Sequence, residues 1–510
     1  MSGRALERDL DVGVVGAGAM GAGIALVAAS AGHRVRLFDA VPGAADRGKA
    51  RLAADLDRLV QRGKLAPEEA AARIGRIIPA PDLSELRGSA LVIEAIIEDL
   101  QAKAEVLGRL EALLPIEAVV ASNTSSLSIT ALASRLSRPA RVLGMHFFNP
   151  AQLMPLVEVV SGAATDPSVA DLVFETAKAW GKVPVRCGST PGFIVNRIAR
   201  PYYGEALRLA ADHAASPETL DAIMRDCGGF RMGPFELMDL IGHDVNFAVT
   251  SSVYEAFFHD PRYRPSLVQK ALVEAGRLGR KSGRGFFGYG EGERPPPPQA
   301  LPPGPAPKQV EVAGDLGPAA ALTALFEAAG VAVVRSAGEG VIRVDGIELA
   351  LTDGRTATER SHASGIPTAV FDLALDYVAS PRIALALPAG MASEQAAAAG
   401  GAFQALGKSV SLLDDVPGMA VARTMAMLVN EAADGLQQGL ASAADIDLAM
   451  VKGANYPIGP LAWCDRLGPS WVTTVMDALA AAYPDGRYRT SALLRRYALT
   501  GGSLGPSTAS

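Results

Sequence analysis

The chain has 510 residues, 49% of them hydrophobic and 20% charged, which suffices for several domains with sizeable cores and excludes global disorder. Lys and Arg number 48 against 54 Asp and Glu, a net charge of −6, without the basic excess or block of a nucleic-acid binder. Cys187, Cys227 and Cys464 stand far apart, so neither a disulfide framework nor a metal site is expected, and a reducing cytoplasm fits.

Residues 12–32 carry no charge over the length of a membrane span. Six of them are glycine, however, and Glu7, Asp9 and Asp11 precede the run where a signal peptide needs positive charge. The segment therefore reads as a buried strand, 12–15, followed by a glycine-rich turn, in a soluble protein with no membrane partner. Further apolar runs at 34–38, 91–95, 119–121 and 141–145 alternate with helical patterns. Strands separated by helices imply βαβ units and a parallel sheet.

After Pro191 amphipathic helices take over to about Phe258. The proline density of residues 291–307 marks an extended, semi-rigid linker. Beyond it, runs at 331–335, 347–352, 368–375 and 383–387 suggest a second, small α/β unit without a glycine fingerprint. The remainder repeats the first helical region. Gly181-Lys182 matches Gly407-Lys408, Pro191-Gly192 matches Pro417-Gly418, and Gly233-Pro234 matches Gly459-Pro460. Arg197, Glu205, Asp221 and Asp239 match Arg423, Glu431, Asp447 and Asp465, every pair 226 positions apart. This is a duplicated helical domain.

Three groups of residues carry chemistry. Gly16, Gly18 and Gly21 form a GxGxxG turn around Met20, after a strand and before a helix. Such a turn lets backbone N–H groups approach a pyrophosphate at a helix N-terminus. Asp39 ends the next strand, where a carboxylate accepts ribose hydroxyls and repels a 2′-phosphate, favouring NAD over NADP. The alternative is an ordinary tight turn with a capping Asp. His146, after one apolar run, and Glu158, within VEVV, form a candidate base and orienting carboxylate; His146 read alone is equally a hydrogen-bonded structural histidine. The run Ser122 to Ser126 reads as a helix cap as well as a set of hydroxyl donors, and Asn196 as a substrate donor or a helical surface amide.

In order along residues 11–289 stand GAGAMGAGIA, EAIIEDL, SNTSSL, HFFNP, VEVV, TPGFIVNR, MGPFELMD and GRKSGRGFF. That combination resembles the NAD-dependent L-3-hydroxyacyl-CoA dehydrogenases. The resemblance implies an acyl-CoA substrate, NAD as cofactor, His146 as general base with Glu158 as its partner, and Ser125 and Asn196 around the reacting oxygen and nicotinamide. It adds Glu98, Lys103 and Lys281 as cofactor contacts, although the segment around Glu98 also reads as capping. Arg62 and Lys64 fall where the family meets CoA phosphates, or simply on a solvated helix face. Longer family members, among them the 3-hydroxyadipyl-CoA dehydrogenase type of phenylacetate degradation, share the insert and second helical copy.

The expected fold is a Rossmann-type α/β domain (1–188) and an all-α domain (189–290), then the linker (291–307), a divergent α/β unit (308–405) and a degenerate helical copy (406–510). In that copy Ala422 replaces Asn196, which suggests two helical copies packed as a pseudo-dimer within one chain, with further homo-oligomerisation open. Two rival functions stay open: a dehydrogenase of free hydroxy acids, and a non-catalytic NAD-binding assembly protein.

Overall fold

The computed structural model describes residues 3–505. Its contacts distribute the five sequence segments over two compact units. One holds the chain up to Arg197 together with Gln438–Ala454, and the other holds Ile198–Gln437 with the chain from Asn455 on. Among the described residues no helix is long and apolar enough to cross a membrane.

The first unit is built on an eight-stranded sheet of β1 (Asp11–Val15), β2 (Val35–Phe38), β3 (Ile77–Ala80), β4 (Ser89–Glu94), β5 (Val119–Ser122), β6 (Val142–Phe147), β7 (Leu156–Ser161) and β8 (Val183–Gly188), in the order 3-2-1-4-5-6-7-8. Valine, isoleucine and leucine fill these strands because both faces are covered, so they read as continuous apolar runs rather than alternating ones. Neighbours from β3 to β6 are parallel. The parallel expectation fails at one joint: β6 and β7 are antiparallel. Residues 148–155 between them are too few for a crossover helix, so the chain turns straight back. The helix Ala443–Gly453, from the second helical copy, belongs to this unit. It packs on β7 and β8, with Leu440 O accepting from Gly188 N at 2.8 Å.

The second unit contains both sets of long helices and a seven-stranded sheet. Its strands are β9 (Gln309–Ala313), β10 (Ala332–Ser336), β11 (Val341–Val344), β12 (Ile347–Leu351), β13 (Thr368–Phe371), β14 (Arg382–Ala386) and β15 (Ser409–Leu413), in the order 10-9-11-12-13-14-15. The 226-residue offset extends further back than the helices: β13, β14 and β15 begin at that distance from β6, β7 and β8. Their pairing repeats too, antiparallel then parallel. Lys182 Nζ bonds the carbonyls of Ala151 and Met154, and Lys408 Nζ those of Tyr377 and Ser380, all at the same offset. The helix Pro217–Asp226 of the first copy packs on β14, where Arg382 pairs with Asp226 at 2.8 Å.

Helix Arg200–Ala211 of the first copy lies against helix Val421–Gln437 of the second. Their buried charges meet: Arg423 bonds Glu205 at 2.7 Å, and Arg262 bonds Glu431 at 2.9 Å. Tyr488 donates to Glu205 and Tyr263 donates to Glu431, so each copy's tyrosine reaches the other copy's glutamate. The proline-rich segment is pinned rather than free. Leu301 N donates to Val410 O on the edge strand β15, and Gly304 N donates to Gln404 Oε1. Proline supplies no N–H, so the bonds fall on the few residues between prolines.

Candidate functional site

Gly16 leaves β1 with φ +100°, a conformation that disfavours any Cβ; a Cβ there would also lie 2.5 Å from the carbonyl oxygen of Ala95. A Cβ on Gly21 would sit 1.8 Å from Gly16 O, so this glycine is what allows the helix Ala19–Ser30 to press on the turn. Gly18, the helix N-cap, is exposed, has open space beside it and receives no side-chain cap. The first turn carries no acid. Free N–H groups, a positive helix end and room for close approach fit a pyrophosphate. Asp39 sits beside the same turn, its Oδ2 accepting from Ala17 N at 2.7 Å and its Oδ1 from Val41 N at 2.9 Å. Each oxygen retains a lone pair for a ribose hydroxyl. Met20 is half-buried on the first turn of the helix.

The carboxyl ends of β4 and β5 are joined by a polar network. Glu94, fully buried, accepts from Lys103 Nζ, Ser122 Oγ and Ile96 N at 2.6–2.7 Å. Glu98 accepts from Thr124 Oγ1, from Ser126 Oγ and from the N–H groups of Ser125 and Ser126. Burial alone would raise the Glu98 carboxyl, but Thr124, Lys103 and Ser126 outweigh it and hold it below the usual range. Lys103 is itself buried between Glu94 and Glu98. The Ser122 to Ser126 segment is thus fixed by carboxylates rather than acting only as a cap. The Ser125 hydroxyl has no hydrogen-bond partner among the described residues. Asn123 Oδ1 accepts from Phe147 N at 2.8 Å and ties this turn to the end of β6.

His146 and Glu158 stand directly opposite each other in the antiparallel β6–β7 register. His146 Nδ1 meets Glu158 Oε2 at 2.6 Å, with Glu158 wholly buried and the His146 side chain 7% exposed. The other carboxylate oxygen, Oε1, accepts from Ile194 N at 3.0 Å and Val195 N at 2.9 Å. Gly192 (φ +76°) and Phe193 (φ +49°) take left-handed conformations that turn these two N–H groups onto the carboxylate. Phe148 and Phe193 flank the imidazole at 4.6 and 5.8 Å between ring centres. An ionised Glu158 accepts only, so the neutral imidazole carries its proton on Nδ1 and leaves Nε2 as a base. Asn196 follows at once, half-buried on the short helix Val195–Ile198.

No side-chain hydrogen bond or ion pair among the described residues joins Arg62 or Lys64 to this cluster. Arg62 caps the end of helix Ala44–Gln61 and, like Lys64, is exposed. Lys281 lies in the helical unit, where its Nζ pairs with Asp244 at 2.5 Å. Two structural contributors give little sign of themselves in the sequence. Glu94 opens the EAIIEDL motif inside the 91–95 apolar run, but nothing local states that it accepts from Lys103 and Ser122. Arg51 reaches from helix Ala44–Gln61 to Ala17 O at 3.0 Å, and a helical arginine gives no local signal of that.

Comparison with known proteins agrees with this geometry. Residues 11–190 match the family description "3-hydroxyacyl-CoA dehydrogenase, NAD binding domain". Residues 192–289 and 418–508 both match its C-terminal domain. The chain belongs to the 3-hydroxyacyl-CoA dehydrogenase family. It is an NAD-dependent oxidoreductase of that reaction class. Residues 349–417 match a "3-hydroxybutyryl-CoA dehydrogenase reduced Rossmann-fold domain". A 3-hydroxyadipyl-CoA dehydrogenase of Escherichia coli (strain K12) is 44% identical over 96% of this chain and 97% of its own. The hydroxyacyl-coenzyme A dehydrogenase of Sus scrofa mitochondria is 39% identical, over 54% of this chain and 90% of its own. A crystal structure of an Escherichia coli 3-hydroxybutyryl-CoA dehydrogenase superposes with a TM-score of 0.89 at 43% identity, covering 97% of this chain and 99% of that one.

Proposed function

We propose that the chain oxidises an (S)-3-hydroxyacyl-CoA to the 3-ketoacyl-CoA with His146 as general base, and that its preferred acyl group is the dicarboxylic 3-hydroxyadipyl. The observation that carries the catalytic part is the buried His146–Glu158 pair at 2.6 Å. The hydroxyl proton passes to His146 Nε2, the C3–H electron pair departs as hydride, and the C3–O bond becomes a carbonyl. When bound, NAD accepts that hydride on its nicotinamide ring. Glu158 steadies the imidazolium formed by the proton transfer, and Ser125 and Asn196 orient the substrate oxygen.

Gly16, Gly18, Met20 and Gly21 hold the pyrophosphate, and Asp39 the adenosine ribose. Glu98 and Lys103 order the cofactor side of the neighbouring turn. Arg62 and Lys64 contact CoA phosphates from the exposed end of their helix. The acyl preference is supported by the Escherichia coli relative named for 3-hydroxyadipyl-CoA, while the full-length Escherichia coli structure is named for 3-hydroxybutyryl-CoA, which makes these two the substrates to compare.

The two copies act as one intrachain pseudo-dimer, which the reciprocal Tyr488–Glu205 and Tyr263–Glu431 bonds support. Domain boundaries near 188 and 290 are supported by the family matches, which change at 191 and stop at 289; the match to the second α/β unit runs on to 417. Three buried free thiols suit a cytoplasmic enzyme. A panel of CoA thioesters followed by NADH absorbance tests the substrate. The expected kcat/KM favours 3-hydroxyadipyl-CoA over 3-hydroxybutyryl-CoA by at least about tenfold, the worth of one charge-assisted contact. Equal or reversed preference sinks the dicarboxylic reading, and activity on the free hydroxy acid sinks the CoA reading.

A further inference from the structure

The helical unit contains a cavity of about 140 Å³ whose lining includes five arginines, Arg200, Arg208, Arg262, Arg264 and Arg487, and no Asp or Glu. None of these residues belongs to the catalytic set. Carboxylates outside the lining hold four of them. Arg208 pairs with Glu205, and Arg262 with Glu431 at 2.9 Å and Asp434 at 2.6 Å. Arg487 and Arg264 share Asp485, at 2.9 and 3.9 Å. Glu205 is shared as well, with Arg423. The acids therefore fix the guanidinium groups without matching them one to one.

A network that existed only to hold helices together would satisfy its buried donors. Here Arg262 Nε and Arg487 Nε are buried and have no hydrogen-bond partner among the described residues. Guanidinium forks suit the planar or tetrahedral oxygens of a carboxylate or phosphate, and a cavity lined by one sign of charge focuses a positive potential. One water needs on the order of 10–15 Å³, so 140 Å³ has room for a polyatomic oxyanion with attached water. The Arg264 side chain, 54% exposed, marks the way in, whereas that of Arg262, 2% exposed, lies deep.

We propose that this cavity is a binding site for a small oxyanion, a carboxylate or phosphate group. The assignment goes beyond the dehydrogenase reading and does not depend on it. The ligand completes a site that the helices and their acids hold ready, and both helical copies build it, since Arg487 comes from the second.

The test titrates inorganic phosphate into the full chain saturated with NADH, which keeps phosphate off the glycine-rich turn, at ionic strength held constant with chloride. Calorimetry should show saturable binding of about one equivalent per chain. Arg264→Gln and Arg487→Gln should each weaken it at least tenfold, whereas Arg277→Gln, on an exposed loop, should not. Thermal melts confirm that the variants fold; Arg264 is the safer of the two because, among the described residues, its ion pairing is the single 3.9 Å contact with Asp485. Adipate in the same titration separates the sources: tighter binding than phosphate marks a carboxylate site, weaker binding a phosphate site, and in either case Arg264→Gln weakens it at least tenfold. Absence of saturable binding by both anions overturns the proposal. So does binding that survives in both folded variants.

Discussion

Replacing Glu158 by Gln separates the two roles of one carboxylate. Gln retains an oxygen for the N–H groups of Ile194 and Val195, now held at 3.0 and 2.9 Å. Toward His146 it presents an NH₂ group, which donates to Nδ1 and moves the imidazole proton to Nε2, where the base must be empty. The wrong tautomer and the lost counter-charge together cost on the order of 10²–10⁴ in kcat. Stability changes little, because the buried donors remain satisfied. Glu158→Ala instead leaves two buried N–H groups unpaired, at about 1–3 kcal/mol each, plus a cavity, so it loses both rate and stability. The assay pairs NADH absorbance kinetics with denaturant melts and NADH affinity, which should stay normal in the Gln variant because the glycine-rich turn is untouched. A Gln variant within threefold of wild-type kcat would refute the tautomer argument, as would Gln and Ala variants that are alike in both rate and stability.

Three further outcomes follow from the same geometry. Wild-type protein should strongly prefer NAD to NADP, and Asp39→Ala should weaken NAD by on the order of 10–100-fold and narrow that gap, the worth of one charge-assisted hydrogen bond; wild-type use of NADP would remove the ribose assignment. Glu205→Gln should cost about 3–5 kcal/mol in denaturant melts by stranding buried Arg423. Burial would raise the Glu205 carboxyl, but Arg208, Arg423 and Tyr488 prevail and lower it; its folded value lies below the unfolded one, so its stabilisation is complete above about pH 4.5 and is lost as pH falls through the folded value. Melts from pH 6 to pH 3 should therefore steepen less in Glu205→Gln than in wild type. Gly453→Ala should lower stability and rate together, since its Cβ would meet Leu156 at 2.4 Å and Val195 at 3.0 Å, on both sides of the Glu158 anchor; an unchanged variant would show that this packing is slack.

The parts that could be read from the sequence were those whose signal is local. GxGxxG and Asp39 mark their own turn, and six of the eight strands of the first sheet announce themselves as apolar runs because both faces are covered. His146 and Glu158 could be paired only as a possibility, since twelve residues of separation do not state that the strands run antiparallel. β3, β8, β9, β11 and β15 were missed; they are short, and β8, β9, β11 and β15 carry charged or hydroxyl residues among their apolar ones. The roles of Glu94 and Lys103 were out of reach for a different reason. The resemblance implies that Glu98 and Lys103 contact the cofactor; that Lys103 is also buried against a carboxylate nine residues back is not readable from it, because burial is a tertiary property. The same holds for Arg51.

The second copy explains why the chain should hold one catalytic centre although its scaffold is doubled. At the 226-residue offset His146 corresponds to Asp372, Glu158 to Ala384 and Asn196 to Ala422. The carboxylate has changed strands but kept its mechanical role, for Asp372 accepts from the N–H groups of Ala420, Val421 and Ala422 at 2.7–3.0 Å. These correspond to Ile194, Val195 and Asn196, and the left-handed pair Gly192–Phe193 recurs as Gly418–Met419, φ +74° and +53°. What is preserved is therefore the anchoring of a helix start on a buried carboxylate, and what has gone is the imidazole that made the first anchor a catalyst. The two anchors should also differ on titration. Burial pushes Asp372 up to about 6 against its four backbone N–H donors. The folded state thus binds a proton before the unfolded one, so this group adds stability as pH falls from about 6 to about 4, opposite in sign to Glu205. Asp372→Asn should remove that acid-side gain while leaving turnover intact. Titration with NADH should give one equivalent per chain, because the turn after β9 lacks the glycine fingerprint and no imidazole stands at the position corresponding to His146. Two equivalents, or loss of turnover in a folded Asp372→Asn protein, would mean that the second copy takes part in the chemistry after all.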